Sequence, residues 1–554
     1  MARRTGAMLL LDTLSNCGTR YVFGIVGRES AQMSFWESEA LRFILTRDER
    51  TAAIAAYVYG ALCSIPGVCY STFGPGVSNL VTGIAGAMLD RAPAIYVSAQ
   101  VEGGSRQPQT YHQYLDQMAL VRPVTKWRKE VLSAEELAPT IKRAFDIARS
   151  EPPGPVFVSV PSNVLGEELQ ATRSPCARQP CSALPRPSSK KVEKLASLLR
   201  EVRSLTFVVG GAMARSEQRI INLVAELSTR TNALLVTTYS AKGLFHDSHQ
   251  CFVGVWSKYL SHILRMNAED LLFKGAELLV VFGVDPAEDL NVRELRSGAT
   301  KSVCFVGPTP PSVRADYDII IEGGIEPALR SLLSSLSETI RPDASESVSS
   351  IKRRIEEARR SVFDAQADLA KRRITPFHVL DCIHSYLTDN DVLVSDTGLH
   401  KQVLALFSRT PRRGQFICSP GLAPMGFGLP AAIGAAFARR KARIFAVCGD
   451  GGFQISMADL ETCRRYNLNI VFIVMHDGRL GLIRHYQLEG GMAADSRLTD
   501  FGPVDYAALA ESMGCRGYRV GEPAEIEPAL EAAVEKPSPA VIDVAVRYDS
   551  LYRR

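Results

Sequence analysis

Residues 442–483 read ARIFAVCGDGGFQISMADLETCRRYNLNIVFIVMHDGRLGLI, and this stretch decides the fold. The apolar run Ile444–Val447 meets a glycine-rich turn, and a segment with apolar residues spaced by threes and fours, Gln454–Tyr466, comes next. A second apolar run, Ile470–Met475, follows it. A strand, a turn, a helix and a second strand in this order indicate a parallel β-α-β unit.

Polar residues stand where each of these two predicted strands ends. Asp450 lies among glycines after the first strand, and His476 follows the second. In open α/β sheets, ligands bind at the carboxyl ends of the strands. A carboxylate, glycines that allow close approach to the backbone, and a helix N-terminus together suit a metal-bridged phosphate. The stretch therefore predicts a ligand site at this edge of the sheet.

The same alternation of strands and helices runs through the whole chain, which at 554 residues is too long for one core. We expect an α/β protein with three doubly wound parallel-sheet domains, at residues 1–165, 191–340 and 375–554, joined by linkers at 166–190 and 341–374. The predicted strands are Tyr21–Val26, Arg42–Thr46, Val68–Phe73, Ala94–Ser98, Val156–Val160, Thr206–Val209, Ala233–Thr237, Leu278–Phe282, Ser302–Val306, Asp318–Ile321, Val392–Ser395, Ile444–Val447, Ile470–Val474 and Ala540–Val544.

Composition excludes several classes of function. The net charge of +5 is small for this length, so it does not predict binding to nucleic acid. No apolar run approaches the ~20 residues that span a bilayer, and the N-terminus does not resemble a signal peptide. The 12 cysteines are scattered without paired CxxC spacing, as expected of free thiols in a reducing compartment. We expect a cytoplasmic protein that binds neither nucleic acid nor membrane.

Four further motifs combine strand ends or turns with polar or glycine residues. They are TRDE at 46–49, GPGVSN at 74–79, DTGLH at 396–400 and GLAPMGFGLP at 421–430. Each has a purely structural alternative when taken alone. A carboxylate at a helix start is favoured by the helix dipole, a glycine-rich turn needs no ligand, and a lone histidine or methionine is more often structural.

All five motifs together, in this order and spacing, resemble the thiamine-diphosphate-dependent enzymes of the acetolactate synthase and pyruvate oxidase type. The resemblance runs nearly end to end and implies a thiamine-diphosphate-binding fold. It is carried by RDERTAAIAAYVYG, FGPGVSNLVTGIAGAMLDRAPAIYVSAQ, PMGFGLPAAIGAAFA and CGDGGFQISMADLETCRRYNLNIV. Residues 111–127, YHQYLDQMALVRPVTKW, are also similar to carboxyethylarginine synthase, a biosynthetic branch of the same family.

The resemblance implies a role for individual residues. Glu49 matches the glutamate that hydrogen-bonds the aminopyrimidine ring and so lets the cofactor act as its own base. Gln113 matches a polar residue facing the reacting carbonyl, and Met425 matches the apolar residue that supports the bent cofactor. The implied cofactor-binding residues are Gly74, Asn79, Gly398, His400, Met425, Gly449, Gly451 and Gly452. The implied metal site, for Mg²⁺ in the family, consists of Asp450, His476 and Gly478.

His476 departs from the family pattern, which has asparagine at this position. Mg²⁺ prefers oxygen ligands, whereas imidazole suits softer transition metals, so the identity of the metal is open. Three alternatives keep a working metal site. In the first, His476 ligates a different metal. In the second, Asp477 supplies an oxygen ligand, and in the third, a water replaces the side chain. In the last case the metal rests on Asp450, the Gly478 carbonyl and the diphosphate. A fourth alternative is a degraded site and a catalytically weak protein.

Two other features bear on ligands. Arg28 stands where glycine is common in relatives, beside the substrate, and is either a contact for an anionic acceptor or a solvated surface residue. The central domain holds a flavin in some relatives, but here Gly210–Ala214 is only a weak dinucleotide-like turn. We therefore expect no FAD.

The implied activity is decarboxylation of a pyruvate-like 2-oxo acid with transfer of the acyl unit to an acceptor, by an acetolactate synthase-like carboligase of the lyase or transferase class. In this family Glu49 and Asp450 come from different subunits, which implies a homodimer or homotetramer. Two alternatives remain. One is a specialised synthase of the carboxyethylarginine type, and the other, motivated by His476, is a non-catalytic cofactor-binding homologue.

Overall fold

Three six-stranded parallel sheets make up the protein in a computed structural model, which describes residues 4–29, 41–102, 112–169, 184–288, 290–311, 313–336, 348–493, 495–548 and 551. Helices flank each sheet, so the predicted α/β class with three parallel-sheet units is confirmed. Within these ranges, no helix is long and apolar enough to cross a membrane. The domain boundaries proposed from the sequence stay predictions.

The N-terminal unit has the strand order β3-β2-β4-β5-β7-β6. Its strands are β2 Tyr21–Ile25, β3 Arg42–Leu45, β4 Gly67–Ser71, β5 Ala94–Gln100, β6 Trp127–Glu130 and β7 Pro155–Pro161, and a short antiparallel pair joins β1 Arg4–Thr5 to β8 Glu168–Leu169. Its helices are α1 Gly6–Asn16, α2 Glu49–Cys63, α3 Pro75–Leu89, α4 Gln117–Leu120, α5 Leu137–Arg149 and α6 Ser162–Gly166.

The central unit has the strand order β11-β10-β9-β12-β13-β14. Its strands are β9 Leu205–Val209, β10 Leu234–Thr237, β11 Phe252–Val255, β12 Leu278–Phe282, β13 Ser302–Gly307 and β14 Ile319–Glu322. Its helices are α7 Ser189–Glu201, α8 Gly211–Ala214, α9 Gln218–Thr231, α10 Leu260–Leu264, α11 Val292–Leu295 and α12 Ile325–Ser335.

The C-terminal unit follows the long helix α13 Val348–Ala370 and has the strand order β16-β15-β17-β18-β20-β19. Its strands are β15 Val392–Ser395, β16 Phe416–Ile417, β17 Ile444–Gly449, β18 Ile470–His476, β19 Arg516–Val520 and β20 Ala540–Ala545. Its helices are α14 Pro376–Tyr386, α15 Leu399–Phe407, α16 Gly428–Ala438, α17 Asp450–Ser456, α18 Leu460–Arg465, α19 Gly481–Glu489, α20 Ser496–Thr499, α21 Tyr506–Ser512 and α22 Ile526–Glu535.

Every predicted strand is present, and the strands that the sequence analysis missed lie at sheet edges. They are β6, β11, β16 and β19 in the six-stranded sheets, and β1 and β8 in the two-stranded pair. Central strands of a parallel sheet are buried on both faces and read as apolar runs, as in the fully buried segment Ile470–Met475 of β18. An edge strand such as β6, WRKE, lacks that signal.

The predicted helix Gln454–Tyr466 is wrong in its start, because α17 already begins at Asp450 and a 3₁₀ turn separates it from α18.

Helix α2 joins the N-terminal unit to the C-terminal unit by packing between α3 and α16. Its sequence ERTAAIAAYVYGALC is rich in alanine, and its residues Ala52–Gly60 are buried. The contact is close enough that a Cβ on Gly434 of α16 would lie 2.4 Å from the Ala55 carbonyl oxygen. The small residues therefore set the distance between the two units, and with it the position of Glu49, the first residue of α2.

We expect Gly434→Ala to destabilise the protein by about 1–3 kcal/mol through overpacking against α2. The substitution alone favours the helix by ~1 kcal/mol, so a net loss reports the close contact. Urea denaturation of the purified chain measures the effect. Gly275→Ala is the matched control, because a Cβ at Gly275 meets nothing within 4 Å. Equal stability of the two variants would contradict this account of the α2–α16 contact.

Candidate active site

Asp450 connects the ends of two neighbouring strands in the C-terminal sheet. It follows β17 directly and begins α17, and its side chain is buried. Its Oδ1 accepts a hydrogen bond from the Gly451 amide, and its Oδ2 accepts one from the Gly478 amide just past β18, each at 2.8 Å. Burial raises the pKa of Asp450, and these backbone hydrogen bonds oppose the rise. The carboxylate therefore sits, as predicted, at the carboxyl edge of the sheet.

His476 ends β18 and is held by a buried carboxylate. Its Nδ1 lies 2.5 Å from Oδ1 of Asp543 in β20, and Asp543 Oδ2 accepts a hydrogen bond from the Tyr506 amide at 3.1 Å. The hydrogen bond that Asp543 accepts from His476 raises the pKa of His476, and burial opposes the rise. Because the carboxylate accepts, the proton of a neutral His476 ring resides on Nδ1 and the lone pair on Nε2. An imidazole oriented in this way by a carboxylate is the usual arrangement of a metal-binding histidine.

Asp477 lies next to His476 and is also largely buried, with 10% of its side chain exposed. Burial and the nearby charge of Asp450 raise the pKa of Asp477 to about 7, and Arg479 opposes this rise. Its Oδ2 lies 3.8 Å from Nε of Arg479, at the edge of an ion pair. Three acidic or imidazole groups thus converge at the ends of β17 and β18.

The turn between β15 and α15 supplies a second part of the same sheet edge. His400 is buried, which lowers its pKa to about 4 and keeps the imidazole neutral. A Cβ on Gly398 would lie 2.6 Å from Cε1 of His400, and one on Gly449 would lie 3.4 Å from the same atom. In the described part of the chain, Nε2 of His400 has no hydrogen-bond partner. A ligand with polar atoms at this turn would satisfy it.

Asp396 is a fully buried carboxylate beneath this turn. Its Oδ1 accepts from the amides of Thr397 and Phe427, at 2.7 and 3.1 Å. Its Oδ2 has no partner among the described residues, and a Cβ on Gly452 would lie 2.5 Å from it. Burial raises the pKa of Asp396 to about 6 despite the hydrogen bonds. The buried Asp396 carboxylate therefore leaves no room for a side chain at position 452, whether or not a ligand binds there.

Met425 lies over the glycine turn that follows β17. Met425 is 36% exposed. A Cβ on Gly451 would lie 3.2 Å from Cε of Met425 and 3.1 Å from the ring of Phe501. The preceding backbone is constrained, because Ala423 has a φ of 50°. A methionine held at this place by its backbone, and not by core packing, fits a support for a ligand.

The predicted residues of the N-terminal unit form two pairs. Glu49 is 8% exposed and accepts a hydrogen bond from Nδ2 of Asn79 at 3.0 Å. Gly74 packs so closely on Gln113 that a Cβ would lie 2.1 Å from the Gln113 carbonyl oxygen. The cap of α2 is Asp48, which accepts from the Arg50 amide at 2.7 Å. The cap of the helix is therefore Asp48 and not Glu49, while Glu49 stands in the first turn, where the helix dipole also favours a carboxylate.

Two residues next to Glu49 contact the C-terminal unit of the same chain. The Arg47 amide donates to Oδ1 of Asp459 at 2.8 Å, and Nη2 of Arg50 donates to the Ile455 carbonyl at 3.1 Å. Arg47 and Arg50, which lie on either side of Glu49, are thereby fixed against the turn that follows α17 and against α17 itself.

The remaining sequence features are located as follows. Arg28 is exposed. In the weak dinucleotide-like turn, the Gly211 amide donates to Oε1 of the buried Glu288 at 2.7 Å, so a side chain of the protein occupies the start of α8. Tyr111, the first residue of the carboxyethylarginine synthase-like stretch, lies outside the described residues.

Sequence reasoning missed the residues that hold the others in place. Asp543 orients His476, and Tyr506 both donates its amide to Asp543 and accepts from Nε2 of Gln454 through its hydroxyl, at 2.6 Å. One signal was available for Asp543, because a carboxylate interrupts the otherwise apolar β20 sequence AVIDVA. A buried charge in a central strand needs a partner.

These observations fit a diphosphate-bearing cofactor and a divalent cation. Gly398 and Gly452 have no room for a Cβ, Gly451 has little, and a buried imidazole lacks a partner among the described residues. Asp450 and His476 could hold the cation at the strand ends, since carboxylate oxygen and imidazole nitrogen both bind divalent metals. The ends of α15 and α17 that face this edge are N-termini, which favour anions.

Comparison with known protein families gives three matches in chain order. The N-terminal TPP-binding domain, the central domain and the C-terminal TPP-binding domain of thiamine pyrophosphate enzymes match residues 4–120, 192–332 and 396–544. The chain belongs to the thiamine pyrophosphate enzyme family. This confirms the resemblance on which the cofactor was predicted.

Individual proteins are similar to this chain over nearly its whole length. A probable acetolactate synthase large subunit of Methanocaldococcus jannaschii is 28% identical over 98% of this chain and 92% of its own length. An acetolactate synthase of Bacillus subtilis is 27% identical over 99% of this chain and 94% of its own. The large subunit of acetolactate synthase isozyme 1 of Escherichia coli is 25% identical over 98% and 94%. The names of these relatives favour the acetolactate synthase-like interpretation over the carboxyethylarginine synthase-like alternative.

We expect Asp396→Asn to remove a pH dependence of stability. Burial raises the folded-state pKa of Asp396 to about 6, above its ordinary value of 3.8 in water. Its protonation therefore stabilises the native state at low pH, and this contribution is lost as the pH rises through about 6. Asparagine keeps the Oδ1 acceptor but has no charge to bury. The free energy of unfolding of the variant, relative to that of wild type, should therefore rise by on the order of 1 kcal/mol when the pH is raised from about 5 to about 7.5.

Urea denaturation without added cofactor, at both pH values, measures this difference. Asp364→Asn, which changes an exposed carboxylate, is the control and should show no such gain. If both variants keep the wild-type pH dependence, Asp396 is ionised in the native state at about pH 5.

Proposed function

We propose that this thiamine pyrophosphate enzyme is an acetolactate synthase-like carboligase that decarboxylates a pyruvate-like 2-oxo acid and transfers the acyl unit to an acceptor. The observation that carries the proposal is Glu49, a buried carboxylate that is freed from helix capping by Asp48 and oriented by Asn79. A carboxylate kept in this way is suited to hydrogen-bond a cofactor nitrogen. The full-length similarity to acetolactate synthases supports the choice of reaction.

When bound, thiamine diphosphate supplies the electron sink that makes decarboxylation possible. In the proposed arrangement Glu49 holds a proton at the aminopyrimidine ring, and Asn79 fixes the orientation of its carboxylate. Gln113 presents its side chain toward the reacting carbonyl, at a backbone position with a φ of 62°. Met425 supports the cofactor between its two rings. Transfer to an acceptor makes the enzyme a transferase, and release of the acyl unit makes it a lyase, so the acceptor decides the class.

The diphosphate end lies at the edge of the C-terminal sheet. We assign the diphosphate to the turns that contain Gly398, His400, Gly449, Gly451 and Gly452, and the N-terminal turn with Gly74 and Asn79 to the pyrimidine side. The cation is held by Asp450, His476 and the Gly478 carbonyl. Mg²⁺ is the family's metal, but the imidazole of His476 favours a softer divalent ion such as Mn²⁺ or Co²⁺. The support is the Asp543 hydrogen bond that orients His476.

The assembly we propose is a homodimer or a pair of homodimers, in which Glu49 of one subunit and Asp450 of the other serve the same cofactor. We also propose a cytoplasmic location, supported by the free thiols of the cysteines in the described ranges. The expectation that the protein carries no FAD stays a prediction.

Purified protein with thiamine diphosphate and pyruvate should release carbon dioxide and form an acetohydroxy acid that mass spectrometry detects. We expect Mn²⁺ or Co²⁺ to support the reaction at least as well as Mg²⁺. Glu49→Gln should lower kcat by about 10²–10⁴, because the carboxylate that holds the proton is lost, while the cofactor still binds in calorimetry.

Glu135→Gln, in an exposed 3₁₀ turn of the same unit, is the matched control and should keep wild-type turnover. Pyruvate turnover that persists in Glu49→Gln contradicts the proposed role of Glu49. Failure of the wild type to bind thiamine diphosphate with any of the three metals supports the non-catalytic alternative.

The shared-site arrangement predicts complementation between two inactive variants. Glu49→Gln and Asp450→Asn each disable both sites of a homodimer. In a mixed dimer, one site combines the intact Glu49 with the intact Asp450. Co-expression in equal amounts should restore about a quarter of wild-type activity, since half of the dimers are mixed and each has one working site. Recovery of no activity from purified mixed dimers, isolated with two affinity tags, shows that each site is built within one chain.

A further inference from the structure

A second group of metal-binding side chains lies away from the proposed active site. One ligand atom each from His262, His485 and Glu489 lies within 4.8 Å of the other two, and these three form the one such group found among the described residues. His262 belongs to α10 of the central unit, whereas His485 and Glu489 belong to α19 of the C-terminal unit. The group therefore spans the contact between two units.

The two ligands on α19 are already placed for a common ion. His485 and Glu489 are four residues apart and share one face of the helix. Nε2 of His485 lies 3.1 Å from Oε1 of Glu489. Two ligands about 2.0 Å from a tetrahedral ion are roughly 3.3 Å apart, so this spacing matches that of neighbouring ligands on zinc.

The third residue of the group, His262, is oriented by a hydrogen bond to the backbone. Nε2 of His262 lies 2.7 Å from the carbonyl oxygen of Leu551, and a carbonyl only accepts hydrogen bonds. The proton of a neutral His262 ring is therefore on Nε2, and Nδ1 has the lone pair. A ring nitrogen that donates to a backbone carbonyl while the other binds the ion is the common second contact of metal-binding histidines. The rings of His262 and His485 are 5.3 Å apart between centroids and nearly perpendicular.

We propose that His262, His485 and Glu489 bind a divalent transition ion of the zinc type, which fixes helix α19 to the central unit. Two imidazoles and one carboxylate select a borderline ion over Mg²⁺ or Ca²⁺ and leave a fourth position for water.

The effect of the ion follows from where α19 lies. Two other residues of this helix, Leu482 and Tyr486, line a cavity of about 620 Å³ that also reaches Gly398 and Lys401. The hydroxyl groups of Tyr486 and Tyr259 are hydrogen-bonded across the same contact. An ion at the α10–α19 contact therefore fixes one wall of the cavity beside the proposed diphosphate turn, without touching the cofactor.

Co²⁺ is the probe for this site, because tetrahedral Co²⁺ absorbs visible light strongly. Metal-free full-length protein, prepared with a chelator, should develop this absorption with one equivalent of Co²⁺ and lose it when Zn²⁺ is added. Glu489→Gln and His262→Gln should each weaken Zn²⁺ binding by more than about 100-fold, the upper range for loss of an outer contact. Zn²⁺ should also raise the Tm of the wild type but not of either variant.

Two controls separate this site from others. His246→Gln, which changes an exposed histidine of the central unit, should keep the absorption. Asp450→Asn should keep it as well, because Asp450 belongs to the cofactor end. Glu489 is 44% exposed, so its substitution does not threaten folding, which circular dichroism verifies. Equal Co²⁺ spectra in wild type and Glu489→Gln overturn the proposal, as does loss of the absorption in Asp450→Asn alone.

Discussion

The contact between α2 and α16 is the constraint on which the rest of the molecule depends. The N-terminal and C-terminal sheets each have a carboxyl edge with polar residues, and α2 and α16 connect the two units within one chain. Alanine and glycine residues let the two helices approach so closely that a Cβ on Gly434 has no room beside Ala55. This packing fixes the first turn of α2, together with hydrogen bonds from Arg47 to the turn after α17 and from Arg50 to α17 itself.

Buried ionisable groups divide the site into parts with different properties. Burial keeps His400 neutral and raises the pKa of Asp396 to about 6, although backbone amides hold that carboxylate. Asp450 instead accepts hydrogen bonds from two backbone amides, and His476 is hydrogen-bonded to a carboxylate. These contacts orient both groups so that they can bind a cation. One edge of the sheet thus combines the neutral imidazole of His400 with the polar groups of Asp450 and His476. Both burial and the hydrogen-bond partners contribute to the difference, because Asp396, His400 and Asp450 are buried whereas 31% of the His476 side chain is exposed.

The sequence predicts the interior of each sheet better than its edges and its long-range contacts. Central strands such as β17 and β18 are apolar runs because both faces are covered, whereas β6 and β19 carry polar residues and were missed. Strand-end polar residues located Asp450 and His476, since parallel strands bring their carboxyl ends to one edge. The pairing of His476 with Asp543, 67 residues later, has no local signature, and neither does the convergence of His262 with His485. Such contacts depend on how whole units pack.

The hydrogen bond between His476 and Asp543 also limits how this family member can change. Replacing His476 by asparagine, the family's residue, would leave the Asp543 carboxylate buried in β20 without its imidazole partner, which is costly. Replacing Asp543 first would leave the histidine without orientation. The two positions are therefore energetically coupled, and each residue makes the other hard to replace singly. A change at either position therefore needs a compensating change at the other.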